Sequence, residues 1–544
     1  MKKQYLISGL ISVLFLQLTI CGFSQNQLYK LVETQRQHLK APAVAVSILQ
    51  PANNPALVTQ LNNTISGYDI YVLNNAAVSS LIETRPANIS FNIPSAIHAF
   101  QLELIQQDIN TSGDFSVNLL DGDKKTPMSN DQGLHYRGYV HGDPNSLASL
   151  SVFSNGDIMV LFSNAEGNYN LGKVKGTQNN YVLYQQAQMN APLTFNCATS
   201  NLAVNEQQQE NNNQPSAESD APPAQGIPGV LCQKVRFYWE ATNKLYFINF
   251  NSDTTLTKNY LTGVFNQVAA MYANEGIKVE LASTSIWRTL DPYSSTTSSS
   301  ALNDFRFHWN LSGDNFNGDI AMLVDGGSSN NGGIAYLLTS LCGRSYNYAY
   351  ANVYGNYSSI PTYSWDVEVL THEIGHNLGS HHTHWCGWMT GLGGSCGAID
   401  DCYTLETSTN CTSCLASTLT NPTPPAGFKG SVMSYCHLRF GIGINLANGF
   451  GPLPQAVIRN VISGSNACLQ RENLWTGAIS TAWENPGNWS CNSIPDATTD
   501  VTLPSGLTNY PVVSSQAICR KLTQPAGTTV RVTTGFKLTV AGTN

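Results

Sequence analysis

Apolar and polar positions alternate along the chain in three successive regimes. Across residues 25–198 short apolar runs are broken by turn residues, as at 135–153, 157–162 and 180–185, which predicts a β-rich domain. Across 230–470 the period changes. Residues 234–241, 277–284 and 319–326 read as strands, while 255–276 reads as a helix with Leu261, Val264, Val268 and Met271 on one stripe. Strands alternating with helices predict an α/β domain. From Leu474 onward the runs DVTLP, YPVV, VRVTT and KLTV are separated by Gly, Pro and Asn, which predicts a small all-β module. No repeat of solenoid length is legible in the chain.

Between the first two regimes lies NLAVNEQQQENNNQPSAESDAPPAQGIPG, residues 201–229, too poor in apolar groups to offset the entropy of ordering. It reads as a disordered linker open to proteolysis. At the N-terminus Lys2 and Lys3 precede an uncharged apolar run from Tyr5 to Ile20, the layout of a secretory signal peptide cleaved near Ser24. Lipid attachment at Cys21 is disfavoured because Ile20, just before it, is not small. No other stretch approaches the roughly 18–20 apolar residues of a membrane span, so the product is expected to be secreted, extracellular and soluble. The expected divisions are 1–24 signal peptide, 25–200 β-rich domain, 201–229 linker, 230–470 α/β domain and 471–544 β-module. The abrupt stop after GFKLTVAGTN suggests a natural chain that continues beyond Asn544.

Composition removes some functions. Of 544 residues only 11% are charged, and the net charge is −8. Nucleic-acid binding needs a basic face and is excluded as a first reading. Of the thirteen cysteines, all but Cys21 lie beyond the signal peptide, and in an exported chain they read as disulfides.

The candidate chemistry lies in VEVLTHEIGHNL, residues 367–378. Val367, Leu370, Ile374 and Leu378 fall at helical spacing, so the segment reads as a helix. His372 and His376, four apart, share a face with Cβ atoms about 5–6 Å from each other, close enough for two imidazoles to grip one ion. Gly379 follows where a helix needs a residue tolerant of positive φ, and the turn it permits can return His382 to the same ion. His381 competes for that role, and the spacing from Gly379 favours His382. Three neutral imidazoles suit Zn(2+) and leave a position for water, whose pKa falls to about 7 there. Glu373, beside the first ligand, is placed to act as general base on that water. His384 and His437 are expected outside the ligand set.

Downstream, Met433 stands in GSVMSYCH. Taken with HEIGHNLGSHH, it resembles the zinc helix and Met-turn of metzincin endopeptidases, the bacterial secreted reprolysin/adamalysin-like branch above all. HYRG at 135–138, GDPNS at 142–146 and SLS at 149–151 are similar to the propeptide that precedes such catalytic domains. The resemblance implies a metzincin catalytic domain over 230–470 with a mixed sheet and a zinc-binding helix. It also implies a zymogen with 25–200 as propeptide, and Met433 packed beneath three histidines. Tyr435 is instead similar to the tyrosine of astacins and serralysins, a fifth zinc ligand or a stabiliser of the transition-state oxyanion. Reprolysin-type proenzymes place a propeptide thiolate on zinc, and Cys197 is the residue available for such a cysteine switch. A Cys197–Cys232 disulfide is the alternative, and both stay open.

The same resemblance implies a Cys342–Cys468 bridge. Cys386, Cys396, Cys402, Cys411, Cys414 and Cys436 are expected to staple the loop between zinc helix and Met-turn. In the tail, Cys491 and Cys519 are expected to pair, and Trp475, Trp483 and Trp489 to fill a small core in preference to binding carbohydrate. The function expected is therefore that of a secreted zinc metalloendopeptidase, a hydrolase of protein or peptide substrates made in latent form. The alternative is a catalytically inactive metzincin-fold adhesion or binding protein with structural zinc, against which Glu373 argues. An aminopeptidase reading would need a downstream Glu as third ligand; Glu406 is the candidate and lacks a helical context.

Overall fold

The computed structural model describes residues 27–39, 41–95, 99–191, 197–199, 231–294, 296–311, 316–326, 332–354, 360–389, 396–407, 427–439 and 441–542. The expected signal peptide, Cys21, the linker 201–229, Cys411 and Cys414 lie outside them.

The first third of the chain builds a ten-stranded, mainly antiparallel sheet running from Val44–Val46 at one edge to Leu49–Pro51 at the other. Its central strands, Leu134–Val140, Asp143–Val152 and Ile158–Asn164, are buried along most of their length because both faces are covered. One face holds its own core of residues such as Phe91, Tyr136 and Phe162. The other packs on the next layer of the molecule.

A second, seven-stranded sheet carries the α/β part. Its strands are β1 (Ser116–Asp121), β2 (Lys124–Met128), β3 (Lys234–Ala241), β4 (Lys278–Trp287), β5 (Ile320–Gly326), β6 (Gly333–Ala335) and β7 (Tyr348–Val353). They lie in the order β6-β7-β5-β3-β4-β1-β2. The β6–β7 and β1–β2 pairings are antiparallel and the rest parallel, so the sheet is mixed. The hairpin of β1 and β2 comes from the segment expected to be a propeptide. It adds itself to the β4 edge, pairing Ser116–Leu120 with Ser283–Trp287.

Helix α1 (Thr254–Asn274) lies between the two sheets. Asp253 caps it, its side chain accepting from the Leu256 N–H at 2.9 Å. The apolar stripe read from sequence is buried in the main core, and Phe265 and Tyr272 of the same helix meet Phe237 of the seven-stranded sheet. The polar face is buried too, against the ten-stranded sheet: Asn266 Nδ2 donates to the carbonyls of Tyr136 and Leu150, and its Oδ1 accepts from Arg137 Nε at 2.8 Å. Those partners are what make a buried amide tolerable. Helix α3 (Tyr363–Asn377) packs beside α1. Helix α2 (Ser298–Leu311) lies on the opposite face of the seven-stranded sheet: its Trp309 meets Tyr238 of β3, whereas Phe265 of α1 meets the neighbouring Trp239. Helix α4 (Pro452–Gly464) follows later in the chain.

In the tail, Arg471–Leu474, Thr499–Thr502 and Lys521–Thr523 pair in parallel. So do Val512–Val513 with Arg531–Val532, and Gln516–Cys519 with Lys537–Val540. The chain therefore winds as a short parallel β-coil. Partners such as Asp500 and Lys521, Val512 and Arg531, or Gln516 and Lys537 lie 21, 19 and 21 residues apart. This corrects the expectation of no solenoid-scale repeat: the repeat lives in backbone pairing, and successive turns share no side-chain pattern that a sequence could display. Trp475, Trp483 and Trp489 are buried in its core.

The Cys491–Cys519 pairing is also corrected. Cys491 is bonded to Cys232, and Cys519 is a buried free thiol. The reason is a backbone seam: the Glu472 N–H donates to the Cys232 carbonyl at 2.8 Å, and Gln233 bridges Arg471. That seam sets Cys491 beside Cys232, while Cys519 faces the tryptophan core. Cys342–Cys468 and Cys402–Cys436 are bonded, and Cys386 and Cys396 are each in a disulfide.

A buried charge knot ties the three regions together. Lys234 Nζ lies 2.7 Å from Asp500 Oδ2 and from Ser112 Oγ, and 3.1 Å from Glu280 Oε2. Arg236 holds Glu280 Oε1 at 2.9 Å and also pairs with Asp114, while Arg520 pairs with Asp500.

Candidate metal centre

Helix α3, wholly buried, presents the site. It stops at Gly379, whose φ is +88°. A side chain there would meet the Leu338 carbonyl oxygen and Val461, so the turn demands glycine for space as well as for conformation. The turn brings His382 back to the helix. His376 Nε2 lies 3.2 Å from His372 Nε2 and 3.1 Å from His382 Nε2.

Each Nδ1 faces an acceptor. For His372 it is the Val432 carbonyl at 2.8 Å, for His376 the Ser380 carbonyl at 2.6 Å, and for His382 Glu406 Oε2 at 2.8 Å. These partners assign the ring protons to Nδ1 and leave three Nε2 lone pairs converging. Burial pushes His372 down to about 3 and drives His376 and His382 well below the usual histidine range, with neighbouring histidines adding to the effect. Converging lone pairs on neutral rings repel unless a cation stands between them. A tetrahedral ion with nitrogen ligands at about 2.0–2.1 Å would set N–N edges of roughly 3.3–3.4 Å, close to those present. The donor set therefore fits zinc. His381 stands apart, stacked on Trp385 at 3.8 Å between ring centroids.

Met433 is fully buried under α3, and a Cβ on Gly375 would lie 2.7 Å from its sulfur. Its carbonyl accepts from the Thr383 N–H at 3.0 Å, fixing the turn that carries His382. Glu373 points to the same space as the three Nε2 atoms. Its Oε1 is buried without a hydrogen-bond partner among the described residues, and burial raises its carboxyl well above the usual range. A Cβ on Gly333 of β6 would run into that carboxylate, so any other residue there would push Glu373 aside.

Cys197 closes the cleft. Its Sγ lies 3.5 Å from His376 Nε2 and 3.6 Å from Glu373 Oε2, and it forms with His372, His376 and His382 a set of donor atoms all within 4.8 Å of one another. Burial, with the neighbouring Glu373 carboxylate, pushes this thiol up. The segment lies along β6: the Ala198 N–H donates to the Gly333 carbonyl at 2.9 Å, and the Ala335 N–H donates to Thr199 Oγ1 at 3.1 Å. Cys197 is a free thiol, so the Cys197–Cys232 bridge is not formed. The Tyr435 hydroxyl donates to the Cys197 carbonyl at 2.8 Å, and its ring lies 4.8 Å from that of His382.

Glu406 is not in the converging set. It touches the far nitrogen of His382, a position no periodicity in the sequence could reveal, because a loop strand held by backbone bonds to residues 384–386 delivers it.

Residues 233–435 match the metallo-peptidase family M12. Residues 474–543 match a domain of unknown function. No curated protein matches the chain. Among solved structures, metalloproteinase-II from Bacteroides fragilis is similar at 10% identity over 62% of this chain and 88% of that one, with a TM-score of 0.30, too low to carry an argument.

Proposed function

We propose that the protein is a secreted, zinc-dependent endopeptidase of reprolysin-like type, made as a latent precursor. The observation that carries the reading is the convergence of His372, His376 and His382 Nε2 beside the Glu373 carboxylate, within the stretch that matches a metallopeptidase family. Zinc, when bound by these three histidines, supplies a Lewis acid that polarises a peptide carbonyl and acidifies water. Glu373 takes a proton from the attacking water at its carboxylate and returns it to the nitrogen of the departing amine, so no serine or cysteine nucleophile is required. Burial makes the Glu373 carboxylate a stronger proton acceptor than an exposed one. Tyr435, already a donor to a peptide carbonyl in the cleft, is suited to donate to the substrate carbonyl once Cys197 leaves. Met433 supports the floor. Latency follows from Cys197, whose sulfur stands where substrate and water must enter; cutting within 201–229 is the step that begins its removal.

The test compares the chain cut within 201–229 and freed of its N-terminal fragment with its Glu373→Ala form on a quenched protein substrate, with zinc content measured on both. Chelator-sensitive hydrolysis should fall about 10²- to 10⁴-fold in the variant while zinc stays bound. Equal, negligible hydrolysis by both, with the pro-segment demonstrably gone and several substrates tried, would favour a non-catalytic binding role.

A further inference from the structure

We infer that Glu406 is a positioning residue of the metal centre, anchoring His382 through the ring nitrogen that faces away from the ion. The inference rests on the zinc reading above. His372 and His376 are held by the backbone of α3, and each donates its Nδ1 proton to a main-chain carbonyl. His382 lies beyond the Gly379 turn, where no helix orients its ring. It alone of the three donates to a carboxylate, Glu406 Oε2 at 2.8 Å. His384 stacks on the same ring, with centroids 4.9 Å apart and planes within 7°, and its Nε2 lies 3.7 Å from the same oxygen. The ring of His382 is thus fixed in its plane by the hydrogen bond and across its plane by the stack.

The anchor is itself anchored. The Glu406 N–H donates to the His384 carbonyl at 3.0 Å, the Cys386 N–H donates to the Glu406 carbonyl at 3.0 Å, and Trp385 pairs with Glu406 as a parallel bridge. These bonds use only backbone atoms, so changing the side chain leaves them in place. A carboxylate on the far nitrogen fixes the tautomer that presents Nε2 to the metal and makes that nitrogen a stronger donor. Loss of such a partner weakens metal binding by about 10- to 100-fold in general.

The experiment uses the full chain loaded with stoichiometric Zn(2+) and mixed with a chromogenic chelator that reports release. Glu406→Ala should release zinc about 10- to 100-fold faster than wild type. Glu406→Gln, whose amide oxygen still accepts from Nδ1 without the charge, should fall between the two. Cobalt-loaded Glu406→Ala should show a shifted visible spectrum, a change that a residue serving only the loop would not produce. The metal-free Gln variant should keep the wild-type urea midpoint. Release within about twofold of wild type in both variants overturns the assignment. A wild-type chain that takes up no zinc overturns the proposed function itself, and the two failures are told apart by the wild-type zinc content alone.

Discussion

Cys197 and Glu373 reach the same small space from opposite walls of the cleft, a thiol on an extended segment and a carboxylate on a helix. Replacing Cys197 with Ala should give the uncut chain measurable hydrolysis of a fluorogenic peptide; silence equal to wild type would assign latency to the bulk of the segment rather than to its sulfur. Glu368, one turn before His372, is fully buried with His437 Nδ1 at 3.4 Å, and burial raises its carboxyl from an ordinary 4.5 to about 8. The folded chain then keeps a proton that the unfolded chain loses. Stability from this group is full below pH 4.5, declines as pH rises to about 8 and is level above that. Urea midpoints at pH 5 and pH 9 should therefore lie closer together in Glu368→Gln than in wild type; identical gaps would show that His437 keeps the carboxylate ionised. At this scale the sequence is most informative where chemistry is local. His372, Glu373, His376, Gly379 and His382 span eleven residues, and helical spacing plus one turn suffices to bring them together. Glu406 and the Cys232–Cys491 bond depend on chain segments that meet only after folding, which spacing cannot express.

Secondary elements divide along the same line. The strands expected at 234–241, 277–284 and 319–326 and the helix at 255–276 correspond to β3, β4, β5 and α1 within a few residues, since each has its own period. The sheet that the β1–β2 hairpin joins is not written in its residues. The most that could be read is that Pro127 suits an edge, and β2 is indeed an edge strand. Likewise the polar face of α1 looks solvent-bound until a second sheet is laid on it. The charge knot at the β4 edge joins all three regions, and there burial alone would raise Glu280, but Lys234 and Arg236 hold it down at about 2. Its contribution to stability is present above pH 4.5 and is lost as pH falls through about 2. Glu280→Ala would leave two buried cations short of a partner. The expected cost is about 3–5 kcal/mol by urea unfolding at neutral pH, and a loss near zero would mean that Asp114 and Asp500 compensate.

For the molecule as a whole, the inserted hairpin and the doubly covered α1 mean that the N-terminal region is part of the fold of the region it covers. Cutting within 201–229 should leave both fragments in one peak on gel filtration, with hydrolysis rising only after dilution or a second cut in 1–200; immediate separation would refute this. The tail bears on how the protein responds to tension. Its turns stack as strands about 4.8 Å apart, so a pull on the chain end would peel them off one at a time. Peeling from Gly542 would stop at Cys491, which is covalently held to Cys232, two residues before β3. The 51 residues between would extend to roughly 170 Å while the force on the rest of the molecule stays at the level that peels one turn, making the coil an extensible leash with a locked root.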